Sequence, residues 1–439
     1  MKTKINNFDE LKTFSIVTLG CKVNTYESNI IQNDLLANGL IAVPFEEKAD
    51  LYVINTCSVT NTADSKSRNM IRRAVKTNPN AIILVCGCYS QVASKDLKQD
   101  FGIDILLGNK YKNNIVDVIN EYLNSQEQVI KIDNLLLEKE YESSSVDIYK
   151  DKTRAFVKIQ DGCNFMCSYC IIPFTRGRQR SKNFDILLKE INILISNGYK
   201  EIVLTGVNTA GYENNGKNFY DLLLAISKLP GNFRVRISSV EPFQISDEIV
   251  ELICKNPDRF AQHWHICLQS GSDAVLEKMN RKYSTQQFRT LVSKIYALNP
   301  YASISTDYIA GFPTETEENH KESLEFIKEI KFYKLHVFPY SQRSYTPAAK
   351  LKQVRSIVKT ERVNEVIKLS EQLSKEFVKK FKDRQVKVLF EKEISPNTYI
   401  GHTSEYFEVI VKSNENLINQ LRDVKVTKVI LGEAFGELI

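Results

Sequence analysis

Long apolar runs are missing from this chain: no stretch reaches the roughly 18 residues that a membrane-spanning helix needs. The first residues, Met1 to Glu10, lack the apolar core of a secretory signal. Disulfide density is low as well. Nine cysteines, an odd number, are scattered over 439 residues, whereas a secreted disulfide scaffold is shorter and richer in Cys. These absences point to a reducing, cytoplasmic setting with no membrane. Strong net charge is lacking too: +6 is mild and does not by itself establish a nucleic-acid partner. What remains, 43% apolar and 26% charged residues, supports ordinary globular cores, and the length suggests about two to four domains.

The densest chemistry sits in Asp161-Gly162-Cys163-Asn164-Phe165-Met166-Cys167-Ser168-Tyr169-Cys170. Cys thiolates hold iron–sulfur clusters. Three of them on one loop can bind three irons of a 4Fe–4S cube and leave the fourth open to a small molecule. Such a loop is a reaction centre more than an electron wire. The competing reading is zinc, but zinc takes four ligands in paired spacings, and no fourth ligand sits nearby.

Ahead of this loop, strand-like runs alternate with helical ones. Phe14–Leu19, Asp50–Asn55 and Ala81–Val85 read as buried strands, with helices from Tyr26 to about Asn38 and from Asn61 or Thr62 to about Lys76. That alternation predicts a parallel, doubly wound sheet, whose sites lie beyond the carboxyl ends of the strands. Cys21, Cys57 and Cys88 each follow a strand at that edge, so three distant cysteines are expected to converge as a second three-thiolate site. Core packing is the plainer reading of buried cysteine, and it is the one given to Cys86. Arg68, Arg72 and Lys76 recur every four residues and share a helix face, either solvated or contacting phosphate. Residues 124–151, with Ser143-Ser144-Ser145, read as a linker carrying an edge strand near Val129–Ile132.

From Arg154 to Tyr340, six strand-like runs recur with amphipathic stretches between most of them: Ala155–Ile159, Glu201–Thr205, Arg234–Ser238, His265–Gln269, Ser303–Asp307 and Lys334–Phe338. Six such repeats predict an incomplete (β/α)6 barrel with its active face at the strand ends. The run Thr205-Gly206-Val207-Asn208 follows the second strand, Ser238-Ser239-Val240-Glu241-Pro242 the third, and Gln269-Ser270-Gly271-Ser272 the fourth. Each alone could be a helix cap; at successive strand ends they suggest a ligand cradle. His263 and His265 flank Trp264 and suit packing or a local hydrogen bond better than iron ligation. No ordinary acid–base dyad stands out. Arg176, Arg178, Arg180 and Lys182 follow the cysteine loop and suit either a polyanion or internal ion pairs. After an amphipathic helix from Val358 to Lys382, the runs Gln385–Phe390, Thr398–His402, Phe407–Val411 and Val424–Val429 suggest a small antiparallel barrel. From residue 351 onward, sixteen basic residues face thirteen acidic ones, too slight an excess to argue RNA binding from charge.

Cys-x3-Cys-x2-Cys with an aromatic residue before the last Cys resembles the signature of radical S-adenosylmethionine enzymes, and its continuation Ile171-Ile172-Pro173-Phe174-Thr175-Arg176-Gly177-Arg178-Gln179-Arg180-Ser181 resembles their methylthiotransferase branch. The runs Thr18–Ser28, Asn55–Thr60 and Gly87–Gln91 are similar to that family's three N-terminal cysteine motifs. The resemblance spans nearly the whole chain. It implies a methylthiotransferase domain over 12–124, a linker over 125–150, a radical S-adenosylmethionine core with trailing helix over 151–381, and an RNA-binding TRAM barrel over 382–439. It implies that Cys163, Cys167 and Cys170 hold the catalytic 4Fe–4S cluster and Cys21, Cys57 and Cys88 an auxiliary one. It places Thr205, Gly206, Ser239, Glu241 and Gln269 on the S-adenosylmethionine side. The expected reaction begins with reductive cleavage of S-adenosylmethionine to a deoxyadenosyl radical. Sulfur then comes from the auxiliary cluster and methyl from a second S-adenosylmethionine.

Gly20-Cys21-Lys22-Val23-Asn24 and Ile237–Pro242 resemble the branch that acts on N6-threonylcarbamoyladenosine at position 37, beside the tRNA anticodon. Expected partners are the tRNA anticodon stem-loop and a low-potential electron donor such as a flavodoxin or ferredoxin. The alternatives are the isopentenyladenosine branch, a non-catalytic iron–sulfur RNA-binding protein and a zinc protein. One departure stands out: Gln342 and Tyr345 occupy places where the family usually has proline and glycine.

Overall fold

In the computed structural model, residues 5, 7–95, 97, 102–141, 144–146, 148–149 and 153–439 are described. Met1 to Lys4, Ser143 and Asp151, named in the sequence expectations, lie outside them. The chain divides into two compact units. The first holds residues 1–148, 160–183 and 341–346; the second holds 149–159, 184–340 and 347–439.

The first unit is built on a six-stranded sheet. Its strands are β1 (Thr13–Thr18), β2 (Ile41–Ala42), β3 (Leu51–Thr56), β4 (Ile82–Gly87), β5 (Ile105–Leu107) and β6 (Val129–Lys131), in the order β2-β1-β3-β4-β5-β6, every pair parallel. The near-continuous Val/Ile/Leu content of β3 and β4 follows from burial on both faces. Leu51 and Val53 enter one core with Ile31, Leu35, Ile115 and Val118; Tyr52 and Ile54 enter the other with Ile71 and Ala74. Helix α1 (Lys22–Ala37) therefore covers one face and α2 (Asn61–Thr77) the opposite one. Thr60 caps α2, its Oγ1 accepting the Ala63 amide at 3.2 Å, as short hydroxyl residues do at helix starts. Cys86 is fully buried in the α1-side core, the packing role expected of it. The edge strand expected near Val129 is β6. Residues 160–183 form a hairpin-based loop in this unit, with Gln160–Asp161 paired antiparallel to Arg180–Ser181.

The second unit contains six parallel strands in sequence order. Arg154–Lys158, Glu201–Thr205 and Arg234–Ile237 form one ladder, and His263–His265, Ser303–Ala310 and Lys334–Pro339 another. Single bridges, Val235 to Phe260 and Val240 to Ile266, link the two. The fourth strand starts at His263, two residues before the expected run. Beyond His265 it pairs only at isolated positions, including a bridge from Gln269 to Tyr308, and Gln269 itself lies in the left-handed region at φ +66°.

Glu201, fully buried, joins Arg234 and Arg236 in a charged knot at the base of the barrel. The two guanidiniums donate onward to His402 O at 2.9 Å and Thr403 O at 3.0 Å. The long helix Ser356–Lys379 precedes a closed five-stranded barrel: Gln385–Ser395, Thr398–Thr403, Glu408–Lys412, Leu421–Ile430 and Glu433–Leu438. Its last strand was not among the expected runs. Its pairing with Glu408–Lys412 is parallel, so the barrel closes with one parallel seam among antiparallel ones. Among the described residues, no helix is long and apolar enough to cross a membrane.

Candidate active site: two cysteine triads in one unit

The N-terminal sheet order places a topological switch between β1 and β3, where crossovers diverge and leave a crevice at the strand ends. Cys21 caps the start of α1 three residues beyond β1, Cys57 follows β3 directly, and Cys88 follows β4 directly. Cys57 and Cys88 are buried, at 6% and 4% exposure, while Cys21 is exposed. Burial pushes the Cys57 thiol up to about 12; neighbouring Cys88 and Cys21 push the same way, while the Val59 amide and the Arg176 guanidinium oppose them. Cys57 therefore lies in the charge environment of Cys88, Cys21 and Arg176. All three cysteines stand at the carboxyl-end edge of the parallel sheet.

Gly20 makes the approach possible. Its φ is +97°, and a Cβ there would stand 2.7 Å from both Cβ and Sγ of Cys57. The Asn109 amide lies 3.7 Å from Cys88 Sγ and donates to Thr175 O at 2.7 Å. Asn24 reaches from α1 to Leu19 O at 2.7 Å and Thr56 O at 2.9 Å, fastening the ends of β1 and β3 together.

The second triad lies on the hairpin loop. Gly162, at φ +69°, turns the chain into Cys163, whose amide donates to Gly177 O at 3.1 Å. The Phe165 amide approaches Cys163 Sγ at 3.3 Å, and the Cys170 amide closes a turn on Cys167 O at 3.1 Å. Cys167 is buried; Cys163 and Cys170 are half-buried. Thiolate-only donor sets with backbone N–H groups aimed at sulfur suit iron–sulfur clusters, whose potentials respond to such hydrogen bonds. Both triads fit that chemistry.

Arg176 and Lys182 answer the question left open about the basic run. Both are buried, at 1% and 0% exposure, and both pair inside the unit. Arg176 donates to Glu27 Oε1 at 2.7 Å, Asp161 Oδ2 at 3.1 Å and Asn24 Oδ1 at 2.6 Å. Lys112 adds a 2.5 Å bond to Glu27. Lys182 bonds Tyr26 Oη at 3.1 Å and the Ser144 carbonyl. Glu27 and Asn24 belong to the helix that Cys21 starts, and Asp161 opens the loop of Cys163. One guanidinium therefore ties the two cysteine-bearing segments together. Arg178 alone of the four is exposed. Arg343 plays a similar part on the other side: it bonds Ser58 Oγ, Asp64 Oδ2 and Asn61 Oδ1, each at 2.7 Å, next to Cys57.

The five residues expected on the S-adenosylmethionine side all lie in the second unit, at strand ends. Thr205 is buried, and its carbonyl accepts the Ile159 amide at 2.8 Å. Gly206 and Ser239 are half-buried. Burial raises the Glu241 carboxyl; the paired Arg281 lowers it, and nearby Asp307 raises it further. The Gln269 amide donates to Asp307 O at 2.9 Å. Sequence reasoning missed one group here: His265, Cys267 and Asp307 bring their ligand atoms within 4.8 Å of one another. His265 Nε2 stands 3.3 Å from Asp307 Oδ2, and the His336 ring stacks on His265 at 5.4 Å. The signal was the alternation of His263, His265 and Cys267 in the sequence, a spacing that puts side chains on one face of an extended segment.

Two family models match the chain: "Uncharacterized protein family UPF0004" over residues 13–108, and "Radical SAM superfamily" over 157–327. The chain is 41% identical over 426 residues to "Threonylcarbamoyladenosine tRNA methylthiotransferase MtaB" of Bacillus subtilis, covering 95% of this chain and 94% of that protein. The chain belongs to the radical S-adenosylmethionine methylthiotransferases. It is also 34% identical to "tRNA-2-methylthio-N(6)-dimethylallyladenosine synthase" of Desulforamulus reducens, over 96% of this chain and 94% of that one. Among solved structures, the radical S-adenosylmethionine methyltransferase TsrM from Kitasatospora setae overlays with a TM-score of 0.57 at 12% identity, covering 77% and 74% of the two chains; at that identity the likeness is one of fold. A methylthiotransferase of this family is an enzyme acting on tRNA, uses S-adenosylmethionine and carries two 4Fe–4S clusters.

Proposed function

We propose that this methylthiotransferase converts N6-threonylcarbamoyladenosine at position 37 of tRNA to its 2-methylthio derivative. The observation that carries the reading is the presence of both cysteine triads in a single compact unit. The name and 41% identity of the Bacillus subtilis relative support the substrate. Cys163, Cys167 and Cys170 would hold the catalytic cluster, and Cys21, Cys57 and Cys88 the auxiliary one. When bound, S-adenosylmethionine and these clusters supply the radical, the sulfur and the methyl group. The chain's own part is positional. Arg176 holds the Cys163 loop against the Cys21 helix, Arg343 braces the segment after Cys57, and Gly20 leaves space for the sulfurs to approach. Thr205, Gly206, Ser239, Glu241 and Gln269 would orient S-adenosylmethionine. Reduction would come from a low-potential donor such as a flavodoxin or ferredoxin, and the site of action is the cytoplasm, with the anticodon stem-loop as the bound part of tRNA.

Mass spectrometry of tRNA nucleosides from a strain lacking this gene and any paralogue tests the proposal. Loss of 2-methylthio-N6-threonylcarbamoyladenosine, with the unmethylthiolated nucleoside accumulating, is the expected result; its retention overturns the substrate. The second reading, action on N6-isopentenyladenosine, is supported by the name of the Desulforamulus reducens relative. It predicts that the isopentenyl nucleoside loses its methylthio group instead.

A further inference from the structure

We propose that Tyr345 and Phe174 form a stacking platform for an unpaired nucleobase next to the target adenosine, an inference that rests on the tRNA-modifying reading above. The two rings lie 5.9 Å apart, inclined at 32°. Tyr345 is 58% exposed, although its close neighbours in sequence, Arg343 and Thr346, are buried at 7% and 1%. The backbone under it is fixed. The Thr346 amide donates to Arg343 O at 3.0 Å, and Thr346 Oγ1 donates to the same oxygen at 2.8 Å. Arg343 is clamped onto Ser58, Asn61 and Asp64, and Ser341 Oγ accepts the Asn61 amide at 2.9 Å. A rigid turn thus holds a large aromatic ring out to solvent.

Phe174 is presented just as firmly. It sits in the one-turn helix Ile172–Arg176, which starts two residues after Cys170. That helix is pinned through Thr175 O to Asn109, beside Cys88, and through Arg176 to Glu27 and Asp161. The platform therefore stands on segments that carry or adjoin ligands of both triads, all within the first unit. A polynucleotide whose reacting base approaches these cysteines must lay its neighbouring nucleotides across the same rim.

The chemistry of the rim suits that occupant. An exposed ring offers a π-face that any base can cover, and unpaired RNA bases are commonly bound by stacking on aromatic side chains. Arg178, exposed four residues beyond Phe174, supplies positive charge for the sugar–phosphate backbone. Val59 and Met166, at 52% and 55% exposure on the Cys57 and Cys163 loops, are further exposed apolar side chains of the same unit. A tyrosine held on a fixed turn loses little freedom on stacking, because only two side-chain torsions remain to be ordered.

The test is fluorescence titration of the full-length, cluster-loaded protein with an anticodon stem-loop RNA carrying 2-aminopurine on one side, then on the other, of the target adenosine. Wild-type protein should change the fluorescence of one of the two probes on binding. Tyr345→Ala should lose that change and bind roughly ten-fold or more weakly, within the approximately 5- to 150-fold span that one stacked base contributes. Tyr345→Leu, similar in apolar bulk but without a ring, should behave like Tyr345→Ala. Tyr345→Trp should keep the change and bind at least as tightly. Matching thermal melts and iron contents show that the variants are folded. Undiminished probe response and affinity in Tyr345→Ala would overturn the platform while leaving the tRNA reading intact. Absence of RNA binding by the wild-type protein would overturn both.

Discussion

Removing Arg176 should cost the protein several times more stability than breaking an exposed salt bridge. Its guanidinium is 1% exposed and donates to two carboxylates and an amide oxygen, all within 2.6 to 3.2 Å. In Arg176→Met the chain keeps apolar bulk at the site but leaves Glu27 and Asp161 in place. Glu27 would still hold Lys112, and Asp161 would retain the Gly162 amide at 2.8 Å. Deleting one partner of a buried ion pair typically costs about 3–5 kcal/mol. For a unit of this size, at roughly 2–4 °C per kcal/mol, that corresponds to a melting point lower by about 10 °C. Calorimetry of the cluster-free protein under anaerobic conditions measures it without a contribution from iron. Hydrogen exchange should speed up in Lys22–Ala37 and around Asp161 together, since the same side chain holds both. Arg176→Lys should fall between, because a single ammonium cannot reproduce the planar fork that serves Glu27, Asp161 and Asn24 at once. A loss below about 1 kcal/mol, the range of exposed salt bridges, with exchange unchanged, would refute the account of Arg176 as a buried tie.

Gly20→Ala should eliminate iron from the auxiliary site, because its Cβ would collide with Cys57 and its φ of +97° disfavours any side chain; anaerobically reconstituted protein should fall from about eight irons to about four. The triple variant Cys163→Ala/Cys167→Ala/Cys170→Ala should also retain about four irons, held by the other triad, and a value near zero would mean that Cys21, Cys57 and Cys88 hold no cluster. Burial alone would raise the carboxyl of Glu201, but Arg234 and Arg236 outweigh it and hold the group far below the ordinary 4.5. Its contribution is therefore complete above the ordinary value and is lost as pH falls through the folded-state one. Glu201→Gln should flatten the acid limb of a stability–pH curve from about 4.5 downward, while costing about 3–5 kcal/mol at neutral pH by leaving two buried guanidiniums without their anion.

The cysteines were legible because strand ends can be located from apolar runs, and a parallel sheet gathers its strand ends along one edge. The same logic found the six barrel strands and assigned Cys86 to packing, since a residue inside a run points into a core. What the pattern could not give was partnership. Nothing local to Arg176 distinguishes it from Arg178, yet one is sealed among carboxylates 15 and 149 residues away in sequence and the other faces solvent. The final barrel strand, Glu433–Leu438, escaped because Gly436 interrupts its short apolar alternation and its parallel partner lies across the seam. His265 and Asp307 were missed as a pair because they belong to neighbouring strands whose register only the folded sheet fixes.

The first unit draws its residues from three separated parts of the chain, the last of them Ser341–Thr346. During synthesis the ribosome must therefore make the entire run from Phe184 to Tyr340 before Arg343 exists to brace Ser58. The N-terminal sheet can form early, but its cysteine rim stays unfinished until most of the polypeptide has been made. Truncation before residue 341 would remove a brace from the opposite end of the sequence, and excising residues 1–148 as a fragment would omit both Arg176 and Arg343. The protein is in this sense assembled out of order: the brace on Ser58 is among the last parts of the first unit to be made.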